Sequence, residues 1–259
     1  MIQRRMPPFT PDWAFYLDVD GTLLGFEAHP RDVFVDAELR TLLEALRALA
    51  GGALAVVSGR SVADVDRLFA PLVLPVAGLH GIERRSATGE LRDPLHARTG
   101  IGAIADRVAA IAAGYRGLGF EDKGLALALH YRRAPHLRSL VEREMRAISS
   151  DLGAEFELQT GKFVVEIRPR GRDKGNAIAE FATEPPFAGR VPVFIGDDLS
   201  DESGFAVVNR LGGHSVKVGP GITHARWRLF DAGAVRRWLA ECLEQGTRGD
   251  RRQSLSARQ

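Results

Sequence analysis

Three short apolar runs, each ending in polar groups capable of chemistry, constrain this chain most. Residues 13–19 (WAFYLDV) stay apolar up to Asp18, and 53–57 (ALAVV) and 191–195 (VPVFI) are apolar throughout. A strand covered on both faces reads as a continuous run rather than an alternation, so each is predicted to be a buried parallel strand. They lead into Asp18-Val19-Asp20-Gly21-Thr22, Ser58-Gly59-Arg60 and Gly196-Asp197-Asp198. In open α/β sheets, sites form where strands end.

Helical spacing fills the gaps. Leu39, Leu42, Leu43, Leu46 and Leu49 mark one apolar face, with Asp36 as N-cap and Gly51-Gly52 as the stop. A helix over 61–69 and a strand over 75–77 follow, ahead of Gly78-Leu79-His80-Gly81. Beyond Arg172 the alternation returns, with helices at 174–182, 201–210 and 232–244 and a strand at 214–218. The middle differs: a helix over 98–114, a strand over 125–132, a helix over 136–151 and strands over 155–160 and 163–168 suit a mixed α+β layer. The fold class is therefore α/β, a Rossmann-like parallel-sheet core with an inserted α+β domain. The divisions are core 1–95, insert 96–171, core 172–245 and a polar tail, 246–259, predicted to be disordered.

Composition narrows the partners. The 259 residues carry 35 Lys and Arg against 33 Asp and Glu, too even a balance to suggest nucleic acid. No apolar run is long enough for a membrane span, and the first residues lack the apolar stretch of a secretory signal. The one cysteine, Cys242, excludes an intrachain disulfide and makes an intracellular, cytoplasmic setting the default. No heptad seam or long apolar edge stands out, so a monomer is expected.

The strand-end groups suit phosphoryl transfer. Asp18 and Asp20 are two apart, so on a straight strand both face one site. Crowded acids repel, a divalent cation relieves that repulsion, and oxygen-only donors favour Mg²⁺. One carboxylate can then act as nucleophile and another as general acid and base. Gly21 allows a sharp turn, Thr22 and Ser58 offer hydroxyls, and Lys174 can hold a phosphate charge and the nucleophile together. Taken singly, each feature has a plainer explanation as a turn, a cap or an exposed helix residue. Four together, in order and at strand ends, do not.

Asp18-Val19-Asp20-Gly21-Thr22, Ser58, Lys174 and Gly196-Asp197-Asp198-Leu199-Ser200-Asp201 resemble the four motifs of the haloacid dehalogenase superfamily, in its order. The resemblance implies a nucleophile at Asp18 and an acid/base at Asp20. It implies Mg²⁺ on the Asp18 and Asp197 carboxylates and the Asp20 backbone carbonyl. Thr22, Ser58, Gly59 and Lys174 would bind phosphate, with Asp198 and Asp201 supporting water, metal or Lys174. Ser200 stands where many relatives carry Thr.

The insert between Ser58 and Lys174 is similar to a type-2 cap, a lid that selects substrate. Gly78-Leu79-His80-Gly81, Glu121-Asp122-Lys123, His130-Tyr131-Arg132 and the Gly161–Pro169 segment resemble the trehalose-6-phosphate phosphatase family, from about Ala14 to about Ala232. That implies a small-molecule sugar-phosphate substrate and the last step of trehalose biosynthesis. Glu121, Lys123, Arg132 and Glu166 would bind the sugar, with His80 and Gly81 lining the same cleft and Lys162 a further candidate. Without the resemblance, Glu121 and Lys123 read as a charged turn, and Arg132 and Glu166 as a cross-strand ion pair. Three rival readings stay open: a phosphatase for sucrose phosphate or mannosylglycerate phosphate, a phosphomutase, and a non-catalytic sugar-phosphate sensor.

Overall fold

The five side chains of the first strand, Trp13–Leu17, are all buried, because this strand has a parallel neighbour on each side. The computed structural model describes residues 6–25, 34–92, 98–154 and 156–256. In chain order the first part holds β1 (Trp13–Leu17), α1 (Ala37–Leu49), β2 (Leu54–Val57), α2 (Val62–Phe69), β3 (Val76–Gly78), β4 (Glu83–Arg85) and β5 (Leu91–Arg92). The middle holds α3 (Arg98–Gly114), β6 (Gly119–Asp122), β7 (Leu127–His130), α4 (Arg138–Asp151), β8 (Phe156–Gly161) and β9 (Val164–Pro169). The last part holds α5 (Lys174–Phe181), β10 (Val191–Gly196), α6 (Glu202–Arg210), β11 (His214–Val218), β12 (Trp227–Leu229) and α7 (Ala232–Ser256).

The large sheet has the order β12-β11-β10-β1-β2-β3-β4-β5. It is parallel from β12 to β3, and only β4 and β5 run antiparallel. The chain leaves β1 for β2 on one side and reaches β10 on the other, so β1 lies where the strand order reverses. That is where a parallel sheet opens a crevice at its carboxyl edge. The second sheet, β6-β7-β9-β8, is antiparallel. One face of it carries Leu127, Leu129, Val165 and Ile167, buried with Ile104 and Val108 of α3 and Val141 and Met145 of α4. By the period of two, the other face carries the paired row Glu121, Ala128, Glu166 and Gln159. This layer comprises the segment read as α+β from the sequence.

Local chemistry explains the helix starts. Asp36 caps α1 by accepting from the Leu39 amide at 2.7 Å, as the leucine pattern predicted. Leu39, Leu43 and Leu46 turn inward, and α1 packs against α7. Arg236 of α7 also binds Asp36, at 2.5 Å.

Two differences from the sequence reading stand out. β4, β5, β6 and β12 were not predicted; they are two to four residues long, and β6 (GFED) is half acidic. The tail read as disordered from Gly246 instead continues α7 to Ser256. Gly246 lets the helix approach closely, since a Cβ there would lie 2.6 Å from Leu49, and Gln245 accepts from the Phe9 amide at 3.0 Å. The 95/96 boundary and the first five residues lie outside the described residues.

Replacing Asp36 tests the link between α1 and α7. Asp36→Ala removes both contacts and is expected to cost about 1 kcal/mol, a fall in Tm of roughly 2–4 °C. Asp36→Asn keeps the cap and falls between. The Leu39 amide, then Arg236, holds the Asp36 carboxyl below its ordinary value. Its contribution is thus complete above the unfolded-state pKa and is lost as pH falls through the lower folded value. The gap between wild type and Asp36→Ala should close in acid, as thermal melts from pH 7 to pH 2 would show.

Candidate active site

Asp18 sits at the carboxyl end of β1, almost fully buried, with one oxygen 2.7 Å from the Lys174 ammonium. Lys174 opens α5, whose N-cap Asp173 accepts from the Asn176 amide. The same ammonium donates to Asp201 Oδ1 at 2.7 Å. The other Asp201 oxygen accepts the amides of Asp197 and Asp198 at 2.9 and 2.8 Å. Asp201 therefore braces the turn after β10. Gly196 makes room for it, since a Cβ there would lie 2.3 Å from Asp201 Cγ.

The electrostatics follow from crowding. Burial, opposed by Lys174 and reinforced by Asp201, pushes the Asp18 carboxyl up to about 7. Burial and then the Asp18 and Asp201 charges push Asp197 up to about 9. Burial works against the Lys174 charge, but the Asp18 and Asp201 carboxylates outweigh it and hold the ammonium above its ordinary value. Carboxylate oxygens of Asp18, Asp197 and Asp201 lie within 4.8 Å of one another. Three acids and one ammonium leave excess negative charge among oxygen donors, which fits a hard divalent cation. Both Asp201 oxygens already accept protein hydrogen bonds, so Asp18 and Asp197 are the carboxylates left to hold it.

Three basic residues here escaped the sequence reading. Buried Lys217 on β11 donates to the carbonyls of Asp197 and Val218. Arg60 grips both oxygens of Asp20, Nε to Oδ2 at 2.7 Å and Nη2 to Oδ1 at 2.6 Å. Arg60 stood in the Ser58-Gly59-Arg60 triplet, but only the first two of those residues were taken as candidates. His130 was likewise missed, though it adjoins the Tyr131-Arg132 pair.

The cleft between the sheets gathers Asp18, Asp20, Gly59, His80, Glu121, Lys123, Arg132, Lys162, Glu166, Lys174, Asp197 and Asp198, with Arg60 and His130. Four candidates do not line it: Asp201, fully buried against Lys174, and Thr22, Ser58 and Gly81. Thr22 is fully buried, its hydroxyl without a hydrogen-bond partner among the described residues. The buried Ser58 hydroxyl accepts from the Arg60 amide at 3.1 Å. Gly81, at φ 100°, packs against the start of α5, where a Cβ would lie 2.8 Å from the Asp173 carbonyl. Its place is to let the His80 turn approach the helix that carries Lys174. Asp198 reaches away from Lys174, capping Leu199 and accepting from the Lys162 amide at 3.2 Å.

The second sheet contributes paired charges. Lys123 donates to Glu166 at 2.6 Å and to the Gly59 carbonyl of the large-sheet layer at 3.0 Å. Burial works against the Lys123 ammonium, but Glu166 and Glu121 hold it above its ordinary value. Glu121 lies 2.7 Å from His130 Nε2. Burial raises the Glu121 carboxyl, yet His130, Lys123 and Arg60 outweigh it and bring it to about 2. His80, left-handed at φ 59° and mostly buried, lies 3.7 Å from Glu166. Burial, with Lys174 and Lys123, keeps its imidazole well below the ordinary value, so at neutral pH it is uncharged.

The family model of the trehalose-phosphatases matches residues 16–227, which takes in this whole site. The chain belongs to that family. A trehalose-6-phosphate phosphatase of Escherichia coli is 46% identical over 235 residues, covering 90% of this chain and 87% of that protein. A probable trehalose-phosphate phosphatase of Sinorhizobium fredii is 44% identical over 209 residues, covering 81% of this chain and 78% of that protein. A solved trehalose-6-phosphate phosphatase related protein superposes with a TM-score of 0.78 at 26% identity, covering 91% of this chain and 99% of that one. The C-terminal domain of the Candida albicans enzyme shares the fold, with a TM-score of 0.78 at 21% identity over 90% of this chain and 92% of that one. The superfamily and the trehalose-phosphatase resemblance read from the motifs are thus borne out.

Lys174 holds the family's site together. In Lys174→Met, Asp18 and Asp201 lose their common counter-charge, and urea unfolding in EDTA is expected to show a loss of about 3–5 kcal/mol. A loss below about 1 kcal/mol, the scale of an exposed pair, would contradict the buried geometry.

Proposed function

We propose that the chain hydrolyses trehalose 6-phosphate to trehalose and inorganic phosphate, the closing step of trehalose synthesis. It is a phosphatase, and the observation that supports the reaction best is the buried Asp18–Lys174–Asp201 array at the end of the central strand. Asp18 attacks phosphorus from the side opposite the sugar. The bond from phosphorus to the sugar oxygen breaks, and its electron pair stays on that oxygen. Asp20 passes a proton there, so trehalose leaves and an aspartyl-phosphate remains on Asp18. Water then attacks that phosphorus, Asp20 takes back the proton, and phosphate departs with Asp18 restored. Lys174 keeps Asp18 aimed and offsets charge on the phosphoryl oxygens.

Mg²⁺ bound by Asp18, Asp197 and the Asp20 carbonyl would neutralise charge on the transferring phosphoryl group. Gly59 offers backbone to a phosphate at the cleft wall, with Thr22 and Ser58 lying behind it.

The four-stranded layer with α3 and α4 is read as the cap. Its row of Glu121 and Glu166, with Lys123, His130 and Arg132, presents donors and acceptors rather than apolar surface. Such a wall suits a polyhydroxylated leaving group. The enzyme is read as a cytoplasmic monomer acting on a small molecule; among the described residues no helix is long and apolar enough to cross a membrane.

Phosphate release from trehalose 6-phosphate tests the reading. Asp18→Asn is expected to abolish metal-dependent turnover, and Asp20→Asn to slow it by about 10²–10⁴-fold. EDTA should stop wild-type turnover, and Mg²⁺ should restore it. On a panel with sucrose phosphate, mannosylglycerate phosphate and glucose 6-phosphate, kcat/KM should favour trehalose 6-phosphate. Equal values across the panel would sink the substrate assignment while leaving the phosphatase reading standing.

A further inference from the structure

Arg60 has a geometry that its place in a phosphate-binding triplet does not explain. Its backbone is held at both polar groups: the amide donates to Ser58 Oγ at 3.1 Å, and the carbonyl accepts from the Leu79 amide at 2.9 Å. The guanidinium is therefore launched from a fixed base. It ends as a two-pronged grip on the Asp20 carboxylate, at 2.7 and 2.6 Å. The Arg60 side chain is 12% exposed and that of Asp20 is 37% exposed. Asp20 is thus the more accessible partner, followed by the turn at Gly21 (φ 84°). A carboxylate that open can swing toward solvent unless something fixes its plane, and a bidentate guanidinium does so.

The second sheet meets the core at the same place. Lys123 donates to the Gly59 carbonyl, one residue before Arg60. Glu121 and Arg60 act on each other electrostatically, each favouring the other's charged form. Arg60, held by Asp20 of the core, thus shares the cleft with Glu121 of the cap layer.

We propose that Arg60 is a positioning residue for Asp20, tying the aim of the acid/base to the docking of the second sheet on the core. The two-pronged grip matches the Asp20 carboxylate that takes a proton from water. Arg60 itself touches neither phosphorus nor the leaving oxygen in this scheme. The inference rests on the reading of Asp20 as acid/base.

The test uses leaving groups. Trehalose leaves as an alcohol and needs a proton, whereas p-nitrophenol leaves as an anion and needs none. Single-turnover rates, with enzyme in excess and Mg²⁺ present, are measured for trehalose 6-phosphate and p-nitrophenyl phosphate. They are compared between wild type, Arg60→Ala, Arg60→Lys and Asp20→Asn. Circular dichroism verifies folding, and Arg60→Gln replaces the alanine variant if that one is unstable. Arg60→Ala is expected to slow trehalose release by about 10²-fold, the scale of a misplaced catalytic group. It should slow p-nitrophenol release by less than about threefold, under half of the 1.36 kcal/mol that a tenfold change represents. Arg60→Lys should fall between, because a single ammonium cannot reproduce the planar grip. Equal slowing of both substrates, or slowing of neither, overturns the inference. If Asp20→Asn also treats both substrates alike, the acid/base reading falls and the Arg60 inference with it. If Asp20→Asn discriminates and Arg60→Ala does not, only the Arg60 inference falls.

Discussion

Everything in this site depends on one buried ammonium. Lys174 lies between Asp18 and Asp201 at 2.7 Å from each, and all three are at most 4% exposed. The contact joins three segments far apart in sequence: the end of β1, the first residue of α5 and the turn after β10. Taking such charges out of water is costly and is tolerated only where each finds a partner. The turn carrying Asp197 is tied in as well, through two amides that bind Asp201 and a carbonyl that binds Lys217. The position of Asp18 is thus set by the packing of the whole parallel sheet rather than by a loop.

The second layer adds a different device. An antiparallel sheet has two faces, and here one buries leucines, valines and isoleucines against α3 and α4 while the other holds Glu121 and Glu166 either side of Ala128. A small residue between two acids leaves space above the sheet. Lys123 fills part of it, reaching Glu166 on its own layer and the Gly59 carbonyl across the cleft. The layers meet through polar contacts at their mouth, such as the Lys162 amide on Asp198, and through buried Leu125 packed with Leu79 and Ile82.

Much of the core was legible in the sequence because buried parallel strands and helix caps leave local marks. The run 191–195, the β11 span 214–218 and the Asp36 cap needed no tertiary knowledge. Asp18 and Asp197 were legible because charged residues at the ends of buried strands are out of place except at a site; Lys174 stood at the start of a helix, and Asp201 came from the resemblance of the motifs. What escaped was set by tertiary context. β6 is a four-residue strand, GFED, whose partner strand gives it shape, and α7 persists past Gly246 because of Leu49 and Phe9. Arg60, His130 and Lys217 are basic residues of a type common on surfaces, and only their partners distinguish them.

The two halves of the cleft differ in how their charge is balanced, and that difference bears on the kind of molecule they accept. On the cap side, Lys123 meets Glu166 and His130 hydrogen-bonds Glu121, so both carboxylates find partners within the wall. A wall of this kind offers directed donors and acceptors to a neutral polyol but little field to bind a second ionised group. On the core side the balance fails: Asp18, Asp197 and Asp201 face one lysine, and burial lifts Asp18 and Asp197 far above ordinary carboxylates. A divalent cation held by Asp18 and Asp197 would relieve that crowding and supply positive charge to a phosphoryl group at the same place. Arg60 lies at the boundary, bound to Asp20 of the charged half and drawn toward Glu121 of the neutral one. A substrate with a dianionic end and a long uncharged end satisfies both halves at once. One that is charged at both ends, or that lacks the neutral end, leaves part of the wall's hydrogen-bonding groups facing the wrong partner, and unpaired polar groups discriminate more sharply than lost apolar contact.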